Sequence, residues 1–574
     1  MRTALIFATL LTACASASGA EGRTYYIDPT GGTSRGSGTM ERPWTSWEHV
    51  RVREGNTYLQ RRGTTVTTDR QITIGAADVT LGAYGKGERP KIVSRVKDRG
   101  QRHAIAINGG RNATIRDLDI EAPAGTSCIR FGKCTNARVE NCVVHGAMWG
   151  IRAVIGPFEG LTILNTEVHT IGDDGMFIQN VSKIEIAHCH VHHVNCKWKP
   201  PYTPQGKAGG DGIQFSKCDD WHVHHNTIDR TNSGNKFCFI SNDDVQKKGV
   251  FEHNTCSGPL TSGDGGSCVY FSDGTDLVVR YNTFNAPAPG AIYHHAKRVK
   301  VYGNIINGIG GVTAYTKSPC WVYNNVFYDC KACVRGENLI VKNNVFVLAS
   351  GGKAIAKLGQ LEQANNITAN AGEPLFVNAE EGDFRPRPGS RLLNAGVTVE
   401  LAADPDGVPI PQFGAPDVGA YEFPSREYLA SKEEENAPAK TAAAAKPHKK
   451  KTSPEAIQLY DAHLMNAVLD CVAAEKHPTF FLSRRRAQAM VRGIDIDGKL
   501  SIVLTRTALE LQIDWSRLTN VEKRNLAAAT IDNGSELKHE ITAFFALAAG
   551  DEREAQKHLA LAGEGAQRVL DMFF

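Results

Sequence analysis

Three short stretches, GDDG at 172–175, GGDG at 209–212 and SGNK at 233–236, set carboxylates and one amine where chemistry is conceivable. If the chain returns to one face between them, Asp174, Asp211 and Lys236 stack on neighbouring strands about 5 Å apart per step. Such a set suits two reactions. In the first, a proton is removed beside a sugar carboxylate and the C4 oxygen is then expelled. Lys236 is the expected base, its pKa lowered by neighbouring cation charge and partial burial. A hard Ca2+ held by Asp173, Asp174 and Asp211 would neutralise the substrate carboxylate. In the second, two carboxylates among Asp173, Asp174, Asp211 and Asp243 act as the pair of a glycoside hydrolase. A lone Asp-Gly is ordinarily a turn. Recurrence on consecutive coils, next to the longest insertion, carries the functional reading.

The element that must position these residues is a repeat. A small polar residue followed by apolar–polar–apolar alternation recurs at Asp117, Asn141, Asn165, Cys189, Asn226, Asn254, Asn282, Asn304, Asn325, Asn344 and Asn366, in steps of 24, 24, 24, 37, 28, 28, 22, 21, 19 and 22. A period near two dozen residues marks a solenoid, and alternation with period two makes its units strands rather than helices. The expected fold is mainly β: a right-handed, single-stranded parallel β-helix of about 11–13 coils, spaced about 4.8 Å apart. Asn at one corner of successive coils predicts an amide ladder.

Coil alignment gives columns of side chains. One column reads Ser127, Trp149, Asp174, Asp211, Lys236, Ser267, Gly290. The outward column reads Arg130, Arg152, Phe177, Gln214, Phe239, Tyr270, Tyr293. Of these, Arg130, Arg152, Gln214, Tyr270 and Tyr293, together with His295, are the expected contacts to an extended anionic sugar chain. The long step inserts CKWKPPYTPQGKAGG just before Asp211, so Lys197, Trp198, Lys199 and Tyr202 are candidates for a cleft wall. His188, His225 and His253 each precede an anchor, with Cys189, His190, His192, His193 and Cys196 nearby. Stacked imidazoles are transition-metal ligands, but this spacing matches no compact zinc motif, and outward His ladders are equally at home in solvent.

Terminal motifs add a resemblance. RTYYIDPTGG with a later RPWT, then GNTYLQRRGTTV and AYGKGERPKIV, resemble the opening of secreted right-handed β-helix proteins acting on polysaccharides. PLFVNAEEGDFRPRPGSRLLNAG (374–396) and DVGAYEF (417–423) look like their closing segment, so the resemblance covers about 23–423. GDDG, GGDG and SGNK further resemble the Asp-Gly and Lys-bearing coils of family-nine pectate lyases. There, however, the single and double Asp coils come in the opposite order. The resemblance implies a calcium-assisted polysaccharide lyase, with the related epimerase, a hydrolase and a non-catalytic glycan-binding surface protein as alternatives.

Residues 1–20 read as a secretory signal, Arg2 followed by ALIFATLLTA, too short to span a bilayer. LTAC at 11–14 also matches a lipobox, which would anchor the protein through Cys14. The expected location is therefore secreted, periplasmic or cell-surface, with no transmembrane segment. With 65 basic against 61 acidic residues, charge offers no case for a nucleic-acid partner. Most of the 14 Cys fall on strand positions and read as small apolar filler, with Cys330 and Cys333 the best local pair. Residues 424–453 read as a charged Ala/Pro linker. Residues 454–574 read as a small α-helical domain, built on LYDAHLMNAVLDCVAAE, SRRRAQAMVRGI and three later periodic stretches, and are the candidate surface for an unknown protein partner.

Overall fold

The computed structural model describes residues 22–96, 103–196, 210–229, 238–258, 267–285, 290–308 and 310–435. Nearer the C-terminus it describes 464, 468, 472, 476–482, 487–494, 499–504, 510–514, 517–530, 536–548 and 552–559. The chain divides into Met1–Ala437 and Pro438–Phe574.

The first unit is the expected parallel β-helix. One set of strands runs Ser127–Gly132, Trp149–Ile155, Met176–Gln179, Ile213–Ser216, Ile240–Asn242, Val269–Phe271 and Ile292–His294, each paired in parallel with the next. A second set contains Val181–Ala187, Asp219–His224 and Lys247–Glu252, and a third contains His190–His192, Thr227–Asp229 and Thr255–Ser257. Each coil contributes one strand to each set. Inward positions are apolar from coil to coil, as in Ile129, Ile151, Met176, Ile213, Ile240 and Val269, all fully buried. The stack thus buries one continuous core that no single coil could form.

The amide ladder exists, but it starts later than the anchors suggest. From Asn226 through Asn254, Asn282, Asn304, Asn325 and Asn344 to Asn366, each Asn donates its side-chain amide to the next Asn's Oδ1 at 2.9–3.0 Å. Each Oδ1 also takes the preceding Asn's backbone N–H at 2.9–3.1 Å. Asp117, Asn141 and Asn165 are not rungs of this inner ladder, although Asn141 donates its side-chain amide to Asp117 Oδ1 at 2.5 Å. They sit one residue earlier, at a left-handed corner with φ of 60°, 53° and 48°, and the inward positions behind them are Leu118, Cys142 and Thr166. Asn suits both places, because its short amide tolerates the left-handed region and also bridges coils.

Twelve described cysteines are buried, Cys330 and Cys333 among them, and the expected Cys330–Cys333 disulfide is not formed. Two regions differ from expectation. Part of the presumed linker is a helix, Arg426–Glu435, whose start is capped by Ser425 accepting the Tyr428 N–H at 3.1 Å. The second unit is α+β rather than α-helical. Thr479–Leu482, Ala487–Ile494, Lys499–Leu504 and Glu510–Asp514 form an antiparallel four-stranded sheet, accompanied by helices Asn520–Thr530, Glu536–Ala548 and Glu552–Leu559. In the stretch AQAMVRGI it is Ala489 and Val491 that are buried, two residues apart, which is strand periodicity. No described helix is long and apolar enough to cross a membrane.

Candidate functional site

Register decides which side chains meet. Ile151 pairs with Met176, Met176 with Ile213, Ile213 with Ile240 and Ile240 with Val269. Two residues upstream of each lies the expected column: Trp149, Asp174, Asp211, then Cys238, then Ser267. Cys238 occupies the slot expected for Lys236, and its backbone N–H donates to Asp211 Oδ1 at 2.8 Å. Lys236 itself lies outside the described residues, as do Lys197, Trp198, Lys199 and Tyr202. The outward column shifts likewise: Gln214 pairs with Ser241, and Ser241 with Tyr270. Phe239, expected outside, is fully buried. The cause is Asn242, a buried polar residue in an inward position, whose Oδ1 accepts the Ser272 N–H at 2.8 Å. It breaks the apolar alternation by which the coil would be aligned.

Each carboxylate is held by a glycine that leaves room for the next coil. A Cβ on Gly175 would stand 2.7 Å from the Gly212 carbonyl oxygen and 2.9 Å from Val191 Cγ1. Gly210 has φ of +84°, and a Cβ there would lie 2.8 Å from the main chain of Asp173. Gly175 and Gly210 are therefore close-packing positions of the stack, where the carboxylate-bearing coils approach each other.

The result is a cleft of about 480 Å3 lined by Asp173, Asp174, Asp211 and Asp243, with Trp149, Phe177 and Tyr270 among its walls. Asp174 is buried and its Oδ1 accepts the backbone N–H of Asp211 at 2.8 Å. Asp211 Oδ2 accepts the Ser241 hydroxyl at 2.5 Å. Burial, aided by the charges of Asp211 and Asp173, pushes the Asp174 carboxyl well above the usual carboxylate range. Burial pushes Asp211 to about 6, against the pull of its hydrogen bonds from Ser241 and Cys238. Asp173 is raised by burial and drawn back by the Arg152 cation. Asp243, exposed at the rim, is raised by partial burial and by Asp244, and it accepts a hydrogen bond from Gln214 Nε2. Arg152 lies 4.2 Å above the Trp149 ring, and its buried Nε meets no hydrogen-bond partner among the described residues.

Of the expected sugar contacts, Arg152, Gln214 and Tyr270 line this cleft. Arg130 pairs with Arg152 but is itself only 8% exposed. Tyr293 and His295 prolong the face: Tyr270 and Tyr293 stack at 5.6 Å, and Tyr293 meets Tyr315 at 5.5 Å. Tyr315, with Arg335 5.6 Å from its ring, was not singled out from sequence, although Arg335 continues the same column through Thr313. Ser241 was also missed, since its identification needs the true register.

Ca2+ takes six to eight oxygens. Both Asp211 oxygens already accept protein donors, and Asp174 gives one oxygen to a backbone N–H. Among the described residues, the groups that gather three metal-ligating atoms within 4.8 Å are His188–His224–His225 and Glu167–His190–His192. Asp173, Asp174 and Asp211 do not form such a group among the described residues.

A family model for a right-handed beta helix region matches residues 103–263. No curated protein matches the chain. Among solved structures, a GH136 lacto-N-biosidase from Eubacterium ramulus is 13% identical, over 61% of this chain and 68% of that one, with a TM-score of 0.36. An alginate lyase from Paenibacillus sp. str. FPU-7 is 12% identical over 60% and 99%, with a TM-score of 0.31. PfbA, a surface adhesin of Streptococcus pneumoniae, is 12% identical over 55% and 85%, with a TM-score of 0.33.

Proposed function

We propose that the chain is a glycan-cleaving hydrolase whose coil-stacked carboxylates act as acid and base. The observation that carries this reading is the placing of four Asp side chains from successive coils in one aromatic-walled cleft. Aromatic faces bind sugar rings, and paired carboxylates of unequal acidity supply the proton and the base that glycoside cleavage needs. Asp211, titrating near 6, is assigned as the acid that protonates the glycosidic oxygen. Asp173, raised by burial and drawn back by the neighbouring Arg152 cation, is assigned as the base that takes a proton from water or as the nucleophile. Asp174 is a positioning residue that holds the Asp211 main chain. Arg152, a cation lining the cleft, favours an acidic sugar unit beside the bond that breaks.

Calcium-assisted elimination is less well supported, because the slot expected for its base is filled by Cys238. Incubation with a panel of uronate-containing and neutral polysaccharides tests the choice. The expected products are new reducing ends without the ultraviolet absorbance of a 4,5-unsaturated sugar, at rates unchanged by a calcium chelator and abolished in Asp211→Asn. Unsaturated product that disappears with the chelator would overturn the hydrolytic reading in favour of the lyase. Binding without turnover would reduce the cleft to a glycan-binding groove.

A further inference from the structure

At another corner of the coil from the cleft, His188, His224 and His225 bring ligand atoms within 4.8 Å of one another. His224 closes the strand Asp219–His224, while His188 and His225 occupy the left-handed corner of neighbouring coils, with φ of 55° and 54°. Asn fills that corner at 141, 165, 324, 343 and 365, and it is the residue that the left-handed region favours. In consecutive coils the corner instead carries imidazoles, and His188 and His225 stack at 5.1 Å.

The ring nitrogens supply a second observation. His224 Nδ1 and His225 Nδ1 face each other at 2.9 Å. The other nitrogen of His224, Nε2, stands 3.5 Å from Glu185 Oε1. A carboxylate there draws the proton to Nε2 and leaves Nδ1 as a bare lone pair, the arrangement found behind metal-ligating histidines. Two nitrogens about 2.0–2.1 Å from one ion lie about 3–3.4 Å apart, a few tenths of an ångström from the separation present.

We infer that His188, His224 and His225 form a binding site for a late first-row divalent ion such as Zn2+, with Glu185 orienting His224 from behind. Three imidazoles are borderline ligands, which favour Zn2+, Ni2+ or Cu2+ over Ca2+ or Mg2+. Loading requires the single proton between the two facing Nδ1 atoms to move to His225 Nε2, so that both rings ligate as neutral imidazoles through Nδ1. The site clips together two coils at a weak point of the stack. In the His188 coil the ladder position is Cys189, and the amide ladder begins only at Asn226, whose Oδ1 receives the Cys189 N–H. Of the sequence candidates, Cys189 and Cys196 are buried thiols, pushed up to about 12 and about 11 by burial, and are not ligands. His253 stacks on His225 at 4.9 Å, next to Tyr281 rather than in the trio.

Calorimetric titration of the full chain, stripped with EDTA, with ZnCl2 tests the site. The wild type should bind Zn2+ and melt at a higher temperature when loaded. His224→Ala and His225→Ala should each lose one equivalent, while keeping the wild-type circular dichroism. Glu185→Gln should keep the equivalent and weaken it about 10- to 100-fold, as loss of an orienting carboxylate does. His190→Ala, in the separate Glu167 group, should leave this equivalent in place. Cobalt loading should give visible d–d bands that the His224 variant lacks. Unchanged stoichiometry and affinity in both His→Ala variants, or no Zn2+ binding by the wild type, would overturn the assignment. Neither result bears on glycan cleavage, which uses other residues.

Discussion

Asp211→Asn should make the protein inactive and, at neutral pH, more stable. Asp211 Oδ1 accepts the Cys238 N–H and Oδ2 accepts the Ser241 hydroxyl. An Asn keeps the first bond through its oxygen, and its amide donates to Ser241 Oγ once that hydroxyl rotates, so no hydrogen bond is lost. What disappears is a buried charge. A carboxyl that titrates at about 6 when folded, against 3.8 in the open chain, is destabilising by about 3 kcal/mol when fully ionised. Because its folded pKa is raised, the favourable contribution is complete below pH 3.8 and is lost as pH climbs through 6. The variant minus wild-type difference should therefore be near zero at pH 4, rise from there to about pH 6, and level off at about 1–3 kcal/mol by pH 7. Removing the Asp211 charge also lowers the Asp174 carboxyl, which that charge raises, and so adds in the same direction. Melting of the full chain in a pH series reads the difference, alongside glycan cleavage at each pH. A difference independent of pH, or a variant less stable at pH 7 than at pH 4 relative to wild type, would refute the argument. Full activity in the variant would remove Asp211 from the acid role.

Gly175→Ala should cost about 1–3 kcal/mol, because the new Cβ meets a backbone oxygen at 2.7 Å that cannot swing aside, and cleavage should fall as Asp174 is displaced. Thermal melting and kcat check it. Asn282→Ala, in mid-ladder, breaks bonds to Asn254, Asn304 and Phe251 together and should cost about 2–4 kcal/mol, more than Asn366→Ala at the half-exposed end. Paired melts of the two variants decide it. Arg152→Ala removes the cation that lowers Asp173, so the acidic limb of the kcat/KM profile should move to higher pH and KM for acidic glycans should rise. Arg152→Lys should restore the limb but not the contact with Trp149, and hence not KM.

The fold was legible because a solenoid writes its period directly into the sequence, and Asn254 to Asn366 repeat it with little interruption. The ladder's beginning was not, because Asn serves both the left-handed corner and the rung one residue later. Asn141 and Asn226 therefore look alike until the backbone is known. The second unit was misread at 487–494, where Ala and Arg favour a helix by propensity, yet Ala489 and Val491 alternate inward. The neighbouring run LSIVL, with Leu500, Ile502 and Leu504 buried, carried the strand signal that would have corrected it.

Within the cleft, the sequence placed Trp149, Asp174 and Asp211 in one column and failed at the next coil. Loop lengths on a solenoid are free, so only inward apolar residues fix where a strand re-enters the stack. In ISN the inward pair is Ile240 and Asn242, and the second is polar because its side chain serves the Ser272–Asp273 turn. Placing Phe239 instead of Ser241 in the outward column moves the coil by two residues. Two is the strand period, so the error keeps every side chain on a plausible face and gives no internal warning. It replaces Cys238, whose backbone holds a carboxylate, with Lys236, and so turns a carboxylate-centred site into one with an amine base. The chemistry assigned to the cleft thus rests on a polar residue inside the core more than on any group that meets the substrate.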